Sequence, residues 1–248
     1  MPAIDPDAAA QLRAETERLG VVVHTGVTVT RIEAAGHGHS VVFTEAGARR
    51  TIMAERIVNG AGRVADVNGL GLDAAGVRHA DGRVLVDEFL RSVSNPAVHV
   101  CGDALWSSPQ LSPIATYEGQ IVGHNIAAGP SRKPEYASIP SCIFTVPALA
   151  MVGLTEAQAR EKGLKVRVQT SDMQSWLSAK TYAESAAWAK TVVDEASGHI
   201  LGASILGHAA EELIHIFALA IRYGITADQL KDAIFAFPTF SADIKFLA

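Results

Sequence analysis

The stretch Ala187–Gly224, AWAKTVVDEASGHILGASILGHAAEELIHIFALAIRYG, decides the fold of the second half of the chain. It opens with two apolar runs, Ala187–Asp194 and Ile200–Leu206, separated by Ala196-Ser197-Gly198, small residues suited to turning a hairpin. The spacing then changes from strand-like to helical. Leu213, Phe217 and Ile221 recur four apart between Ala209 and Tyr223, the pattern of a helix face turned to a core, and Gly224 supplies the stop. Strands followed by a helix of their own predict an α+β layer rather than alternating βαβ units.

The flanks extend this reading. Upstream, Ile139–Val146 and Val166–Val168 read as strands, and Thr155 with Gln158 three residues on forms a capping box for a helix stopped by Gly163. Downstream, Thr226 and Gln229 repeat that box. Gly129-Pro130-Ser131-Arg132-Lys133-Pro134 reads as a linker and places a domain boundary near residue 133. Before it lies a glycine-rich segment whose sharpest feature is Val98-His99-Val100-Cys101-Gly102-Asp103, read as a buried strand ending in Gly-Asp. Leu111-Ser112-Pro113 leads into a helix over Ile114–Ala128, with Ser112 as cap and Pro113 at the first helical position. The first segment starts with a helix, Asp5 as N-cap and Pro6 at its first position, closed by Gly20. Strand-type runs follow at Val21–His24, Val27–Ile32, Val41–Phe43 and Glu55–Val58.

Composition narrows the function classes. Of 248 residues 48% are hydrophobic and 19% charged, with a net charge of −5, so the chain is globular and not disordered. Its 21 basic residues are scattered, whereas a nucleic-acid footprint clusters Lys and Arg on one face. No run reaches the roughly 18–20 apolar residues that span a bilayer. Met1 is followed by Pro2 and Asp5 rather than by a signal-type segment. Cys101 and Cys142, far apart in sequence, fit a reducing cytoplasm and are too few for a structural zinc site. The expectation is a cytoplasmic protein that engages neither nucleic acid nor membrane.

Several stretches, taken in order, resemble one family. Ile139-Pro140-Ser141-Cys142-Ile143-Phe144-Thr145 and Val152-Gly153-Leu154-Thr155-Glu156-Ala157 resemble the opening of the dimerisation domain of the glutathione reductase and dihydrolipoamide dehydrogenase family. Gly202–Gly207, Glu212–Ile214 and Ala218–Ile221 continue the match, and Phe237-Pro238-Thr239 falls where the family closes with His-Pro-Thr. Upstream, Gly62-Arg63 and Gly69-Leu70-Gly71-Leu72 resemble the return from the NAD domain, and Cys101-Gly102-Asp103 resembles the second FAD motif. The resemblance implies residues 1–60 from an NAD(P)-binding domain, 61–133 from the second part of an FAD-binding domain, and 134–248 as a dimerisation domain that forms a homodimer. The fold class it implies is α/β plus α+β.

Site residues follow from the same resemblance. Gly lets backbone approach a bulky ligand, and a carboxylate accepts hydrogen bonds from sugar-like hydroxyls. Gly102 and Asp103 are therefore the expected ribityl-binding pair, the plain alternative being an Asp that caps the next helix. Leu111, Ser112 and Ile114 mark a helix N-terminus whose amides and positive dipole end would face the flavin pyrimidine ring, the alternative being an ordinary capped core helix. Phe237 stands at the family's proton-carrying His position and Ala242 at that of the Glu that orients it, with Asp243 one place along. No catalytic residue is thus assigned. Other groups carry less. Glu212 and His215, His37 and His39, and Trp106, Trp176 and Trp188 read as surface or packing residues, and no metal is expected.

The chain contains neither Gly-x-Gly-x-x-Gly nor Cys-x-x-x-x-Cys, the pyrophosphate loop and redox disulfide of the family. It is expected to be the C-terminal half of an FAD-dependent NAD(P)H oxidoreductase acting on a small-molecule acceptor. FAD and NAD(P)H would serve the intact enzyme, with no tight cofactor on this half alone. The mercuric reductases' terminal cysteine pair has no counterpart in Phe246-Leu247-Ala248, which disfavours mercury as the acceptor. The alternatives are a catalytically inert dimerisation module and a parent enzyme with a non-disulfide acceptor.

Overall fold

A computed structural model describes residues 4–248. The described residues form two compact units, one of Thr16–Arg63 and one joining residues 4–15 with Val64–Ala248.

Helix α1 (Pro6–Arg18) begins as the sequence predicts. The Asp5 carboxylate accepts the N–H of Asp7 at 2.9 Å and of Ala8 at 3.4 Å, satisfying amides that the first turn cannot pair. The smaller unit is an antiparallel meander, β1 (Thr28–Ala35), β2 (Gly38–Glu45) and β3 (Ala48–Ala54). Val42 and Phe43 of the central strand are buried. Gly38 is required there, because a Cβ would lie 2.5 Å from the carbonyl oxygen of Ala54.

Two expected strands are not present. Val21–His24 and Glu55–Val58 join no sheet, and β3 lies just before the second of them. Runs of strand composition form strands only where a neighbour offers a ladder. Among the described residues neither run has such a neighbour. His39, read as solvated, instead lies in β2 with its Nδ1 buried and unpartnered.

In the larger unit, β4 (His79–Ala80) and β5 (Arg83–Val84) form a small ribbon beside a core of Val77, Val84, Leu90, Val100 and Leu105. The run Val98–Asp103 is not a regular strand. It makes one bridge, His99 to Arg91, and two flanking backbone bonds before a 3-10 turn at Gly102–Ala104. Helix α2 (Ser112–Ala128) follows.

The rest of the unit is built on a five-stranded antiparallel sheet in the order β6-β7-β10-β9-β8. Its strands are β6 (Ser141–Ile143), β7 (Leu149–Gly153), β8 (Val166–Asp172), β9 (Trp188–Asp194) and β10 (Ile200–Leu206). The expected hairpin is β9–β10, and β7 is a strand that sequence reasoning missed. Helices α3 (Glu156–Glu161), α4 (Leu177–Thr181), α5 (Ala210–Tyr223), α6 (Ala227–Asp232) and α7 (Ile244–Leu247) complete it. Both predicted capping boxes, Thr155/Gln158 and Thr226/Gln229, are present.

One face of the sheet packs on Leu213, Ile214 and Phe217 of α5, with Ile244 and Leu247 of α7. The other carries Leu149, Met151, Trp188 and Leu206, covered by Ala8 and Leu12 of α1. A strand covered on both sides reads as a continuous apolar run, which is why β10 shows no alternation. Gly202 and Gly153 stand opposite each other across β10 and β7. A Cβ on Gly202 would lie 1.9 Å from the carbonyl oxygen of Leu154, so only glycine permits this approach.

Candidate functional site

The site is organised by a carboxylate that sequence reasoning did not single out. Glu118 of α2 is 0% exposed, and it accepts three hydrogen bonds. The Gly102 N–H reaches its Oε2 at 2.6 Å, the Tyr136 hydroxyl donates to Oε1 at 2.6 Å, and the Ser108 hydroxyl donates to the same oxygen. A buried charge survives only when its lone pairs are met, and here three segments converge to meet them. The effect on the neighbours has a definite direction. Burial first, and then the bond to Glu118, pushes the Tyr136 phenol up, so it stays a donor. Burial and the Glu118 charge likewise push the Cys101 thiol up. The sequence signal was a lone Glu on the inward face of a helix, which is unremarkable until Tyr136 and Ser108 are placed beside it.

Glu118 fixes the Gly-Asp turn. Gly102 has φ +62°, in the left-handed region, and a Cβ there would meet the Ala115 Cβ at 3.0 Å. Gly102 therefore packs directly on α2, and Asp103 follows half-buried in the first turn of the 3-10 segment.

The start of α2 departs from the expected cap. Leu111 is the N-cap residue, Ser112 is already helical, and no side chain caps this end. The N–H groups of Ile114 and Ala115 both donate to the Leu111 carbonyl at 3.0 Å, and Pro113 has none. The Ile114 amide is thus spent within the turn and its side chain lies in the core. Among the described residues only Ser112, of α2's first turn, keeps an N–H without an acceptor. An uncapped amide at the positive end of a 17-residue helix is a ready donor for an electron-rich oxygen. A carboxylate on a tight turn can accept from a hydroxyl, and the amide at the helix start can donate to an electron-rich oxygen. A cavity of about 320 Å³ adjoins the loop, lined in part by Trp106, Pro109, Tyr136 and Thr155.

The closing motif lies elsewhere in the unit. Phe237 is 75% exposed, and Thr239 accepts the Ala242 N–H at 3.2 Å while donating to the Ala236 carbonyl at 2.6 Å. Ala242 is buried, and Asp243 accepts a hydrogen bond from Ser178 of α4. Of the tryptophans, Trp188 is buried, Trp176 stands edge-on to Phe246 at 5.8 Å, and Trp106 lies under Arg83 at 5.7 Å. Glu212 and His215 are exposed on α5, and the described residues hold no group of three metal-ligating side chains. No helix among them is long and apolar enough to cross a membrane.

The larger unit thus joins an α+β sheet to a Gly-Asp turn and an uncapped helix start, the parts that the resemblance calls for. Comparison with known proteins agrees. Residues 139–248 match the pyridine nucleotide-disulphide oxidoreductase dimerisation domain, and residues 1–119 match the pyridine nucleotide-disulphide oxidoreductase domain. The chain belongs to this family. An uncharacterized 19.7 kDa protein of the mercuric resistance operon of Staphylococcus aureus is 39% identical over 72% of this chain and 99% of its own length. A mercuric reductase of the same organism is 31% identical over 98% of this chain and 44% of its own length. A dihydrolipoyl dehydrogenase of Chlorobaculum tepidum is 32% identical over 99% and 52%. The chain thus spans about half the length of these two enzymes. Among solved structures, the HOCl-induced flavoprotein disulfide reductase RclA of Escherichia coli superposes with a TM-score of 0.84 at 25% identity, over 98% of this chain and 55% of that one.

Proposed function

We propose that this chain supplies the isoalloxazine-proximal part of an FAD site and the homodimer interface of an NAD(P)H-dependent oxidoreductase. The observation that carries this reading is the unspent Ser112 amide at the uncapped start of α2, the helix against which the Gly102–Ala104 turn packs and to which Glu118 ties it. FAD, when bound, would supply two-electron transfer between a reduced nicotinamide and a small-molecule acceptor. The chain's own part is to orient it. The Asp103 carboxylate accepts from a ribityl hydroxyl, and Ser112 donates to the electron-rich edge of the ring while the α2 dipole adds partial positive charge there. In this division, residues 1–60 come from the NAD(P)-binding domain, 61–133 from the FAD-binding domain, and 134–248 make the dimer contact. The assembly works in the cytoplasm without nucleic acid or membrane.

The acceptor is narrowed by Phe237, which carries no proton. Identity does not separate the candidates, since a mercuric reductase and a dihydrolipoyl dehydrogenase match equally well. An acceptor that needs no proton from this position, or one other than a disulfide, suits the residues best.

The test is a titration of the chain with FAD, followed by backbone amide shifts. Weak binding is expected, with shifts confined to the Gly102–Ala104 turn and the start of α2. Ser112→Pro, which removes the one free amide yet is well tolerated at a helix start, should abolish the α2 shifts. Shifts elsewhere, or shifts that survive that change, would overturn the assignment. A second reading, a dimerisation module without redox activity, has one observation in its favour: the 19.7 kDa relative is matched over 99% of its length by 72% of this chain. Flavin that copurifies with the chain would exclude it.

A further inference from the structure

The redox reading makes no use of the cavity beside the Trp106–Pro109 loop. Its volume of about 320 Å³ falls within the range of about 300–1,000 Å³ typical of small-molecule sites. Asp103, Leu111, Ser112 and the closing segment Phe237–Asp243 do not line it. It lies at the Met151 end of the β6–β7 pair, where Ser141 faces Met151. The exposed Phe144 and Val146 follow the opposite end, where Ile143 faces Leu149. The cavity is thus separate both from the expected flavin donors and from those uncovered apolar groups.

Its floor holds a buried hydroxyl with nothing to bond. Ser204 of β10 is 8% exposed and lines the cavity, and its hydroxyl has no hydrogen-bond partner among the described residues. A hydroxyl taken out of water without a partner is costly, so one aimed into a cavity marks a place for a polar group brought from outside. A second hydroxyl can serve the same group. Thr155 Oγ1 accepts the Gln158 N–H at 3.3 Å and keeps its own hydrogen to donate. Ser108 and Tyr136 also line the space, but both of their hydroxyls are spent on Glu118. The rest of the surface is apolar or neutral. Trp106 is 49% exposed with Arg83 over its ring at 5.7 Å, and Tyr136 and Ile139 face the same space. Among the described residues, none that lines the cavity is charged. Lys190, opposite Ser204 across β9 and β10, is already held by Asp5, Asp7 and Glu156. An ion placed here would lose its water without gaining a counter-charge, whereas an aromatic ring would gain the faces of Trp106 and Tyr136.

We propose that this cavity binds a small neutral aromatic ligand bearing a hydroxyl, with its ring against Trp106 and Tyr136 and its hydroxyl at Ser204 and Thr155.

Benzyl alcohol, benzylammonium and benzoate, titrated into the full chain at neutral pH, share one ring and differ in charge. Benzyl alcohol should bind saturably, at least about fivefold more tightly than either ion, with amide shifts confined to Trp106–Ser108 and Met151–Thr155. Ser204→Ala removes the buried hydroxyl and should weaken benzyl alcohol by about two- to tenfold. Trp106→Ala, at a half-exposed ring, should also weaken it and serves if the first variant fails to fold. An ion that binds as tightly as the alcohol, or an affinity that survives either variant, would overturn the proposal. So would the absence of saturable shifts at these residues, or shifts at Ser112 in their place.

Discussion

Gly102 meets two demands at once, a left-handed backbone and contact with Ala115, and each disfavours a side chain on its own. Gly102→Ala should therefore cost about 1–3 kcal/mol, read as a lowered urea midpoint. Glu118→Leu should cost more, about 3 kcal/mol or above, since it strands three donors in a dry site. Glu118→Gln separates charge from shape. It keeps an acceptor but removes the negative charge that helps hold the Cys101 thiol up. Its thiol should titrate at lower pH than in the natural protein, so alkylation near neutrality should be faster, and an unchanged pH profile would count against the arrangement. At this scale the sequence was half legible. Gly102-Asp103 was singled out through the family resemblance, and it lies in a 3-10 turn packed on α2. Glu118 was not, because its three partners lie 10 to 18 residues away and only folding brings them together.

Among the elements, β9 carries a buried ammonium that ties two helices to the sheet. Lys190 is 5% exposed and lies 3.2 Å from Asp5 and 2.8 Å from Asp7 at the start of α1, and 3.1 Å from Glu156 at the start of α3. Burial pulls its pKa down, yet the bonds to Asp7, Glu156 and Asp5 outweigh this and hold it above the ordinary lysine value. Lys190→Met would leave the nearly inaccessible Asp5 without its cation and should destabilise by about 3–5 kcal/mol near neutrality. The pH dependence has a fixed sign. Lys190, being raised, contributes below its unfolded value and loses this only as pH rises through the folded value, far above neutrality. Glu156 is lowered from 4.5, chiefly by Lys190 and then Arg160, so its share is present above pH 4.5 and lost as pH falls through the folded value. The gap between natural protein and Lys190→Met should narrow below about pH 4. Denaturant midpoints from pH 3 to 8 test this, and a constant gap would show that the carboxylates are not coupled to Lys190. Elements with local signals, such as the two capping boxes and the β9–β10 hairpin, were legible in sequence. β7 was not, because Leu149–Gly153 is a five-residue apolar run with no turn signal of its own. Val21–His24 failed in the opposite way, having strand composition but no ladder partner.

For the whole molecule, the second half carries apolar groups that its own fold leaves uncovered. Phe144 and Val146 are more than 80% exposed and Ile234 is fully exposed, in a domain whose family model is a dimerisation domain. Light scattering at micromolar concentration should give twice the 26.1 kDa chain mass, with an interface of roughly 2,000 Å² or more. Ile234→Asp, which touches no internal core, should weaken that association. Phe237 belongs to the same scale, because the resemblance puts it over the partner's flavin-proximal pocket in the proposed dimer. As it is three-quarters exposed, Phe237→His should fold and dimerise like the natural chain. Ala242→Glu is a different matter, since Ala242 is buried and a carboxylate there would need a partner that the described residues do not offer. In the intact enzyme, disulfide reduction of the glutathione type should therefore be slow, and Phe237→His alone should raise it by less than the 10²–10⁴-fold of a well-oriented acid–base group. Adding Ala242→Glu should extend the gain only where the dimer shelters the new carboxylate against the imidazole, which a rise in the His pKa would report. An intact enzyme that already reduces disulfides rapidly with Phe237 in place would mean that the proton travels through another group.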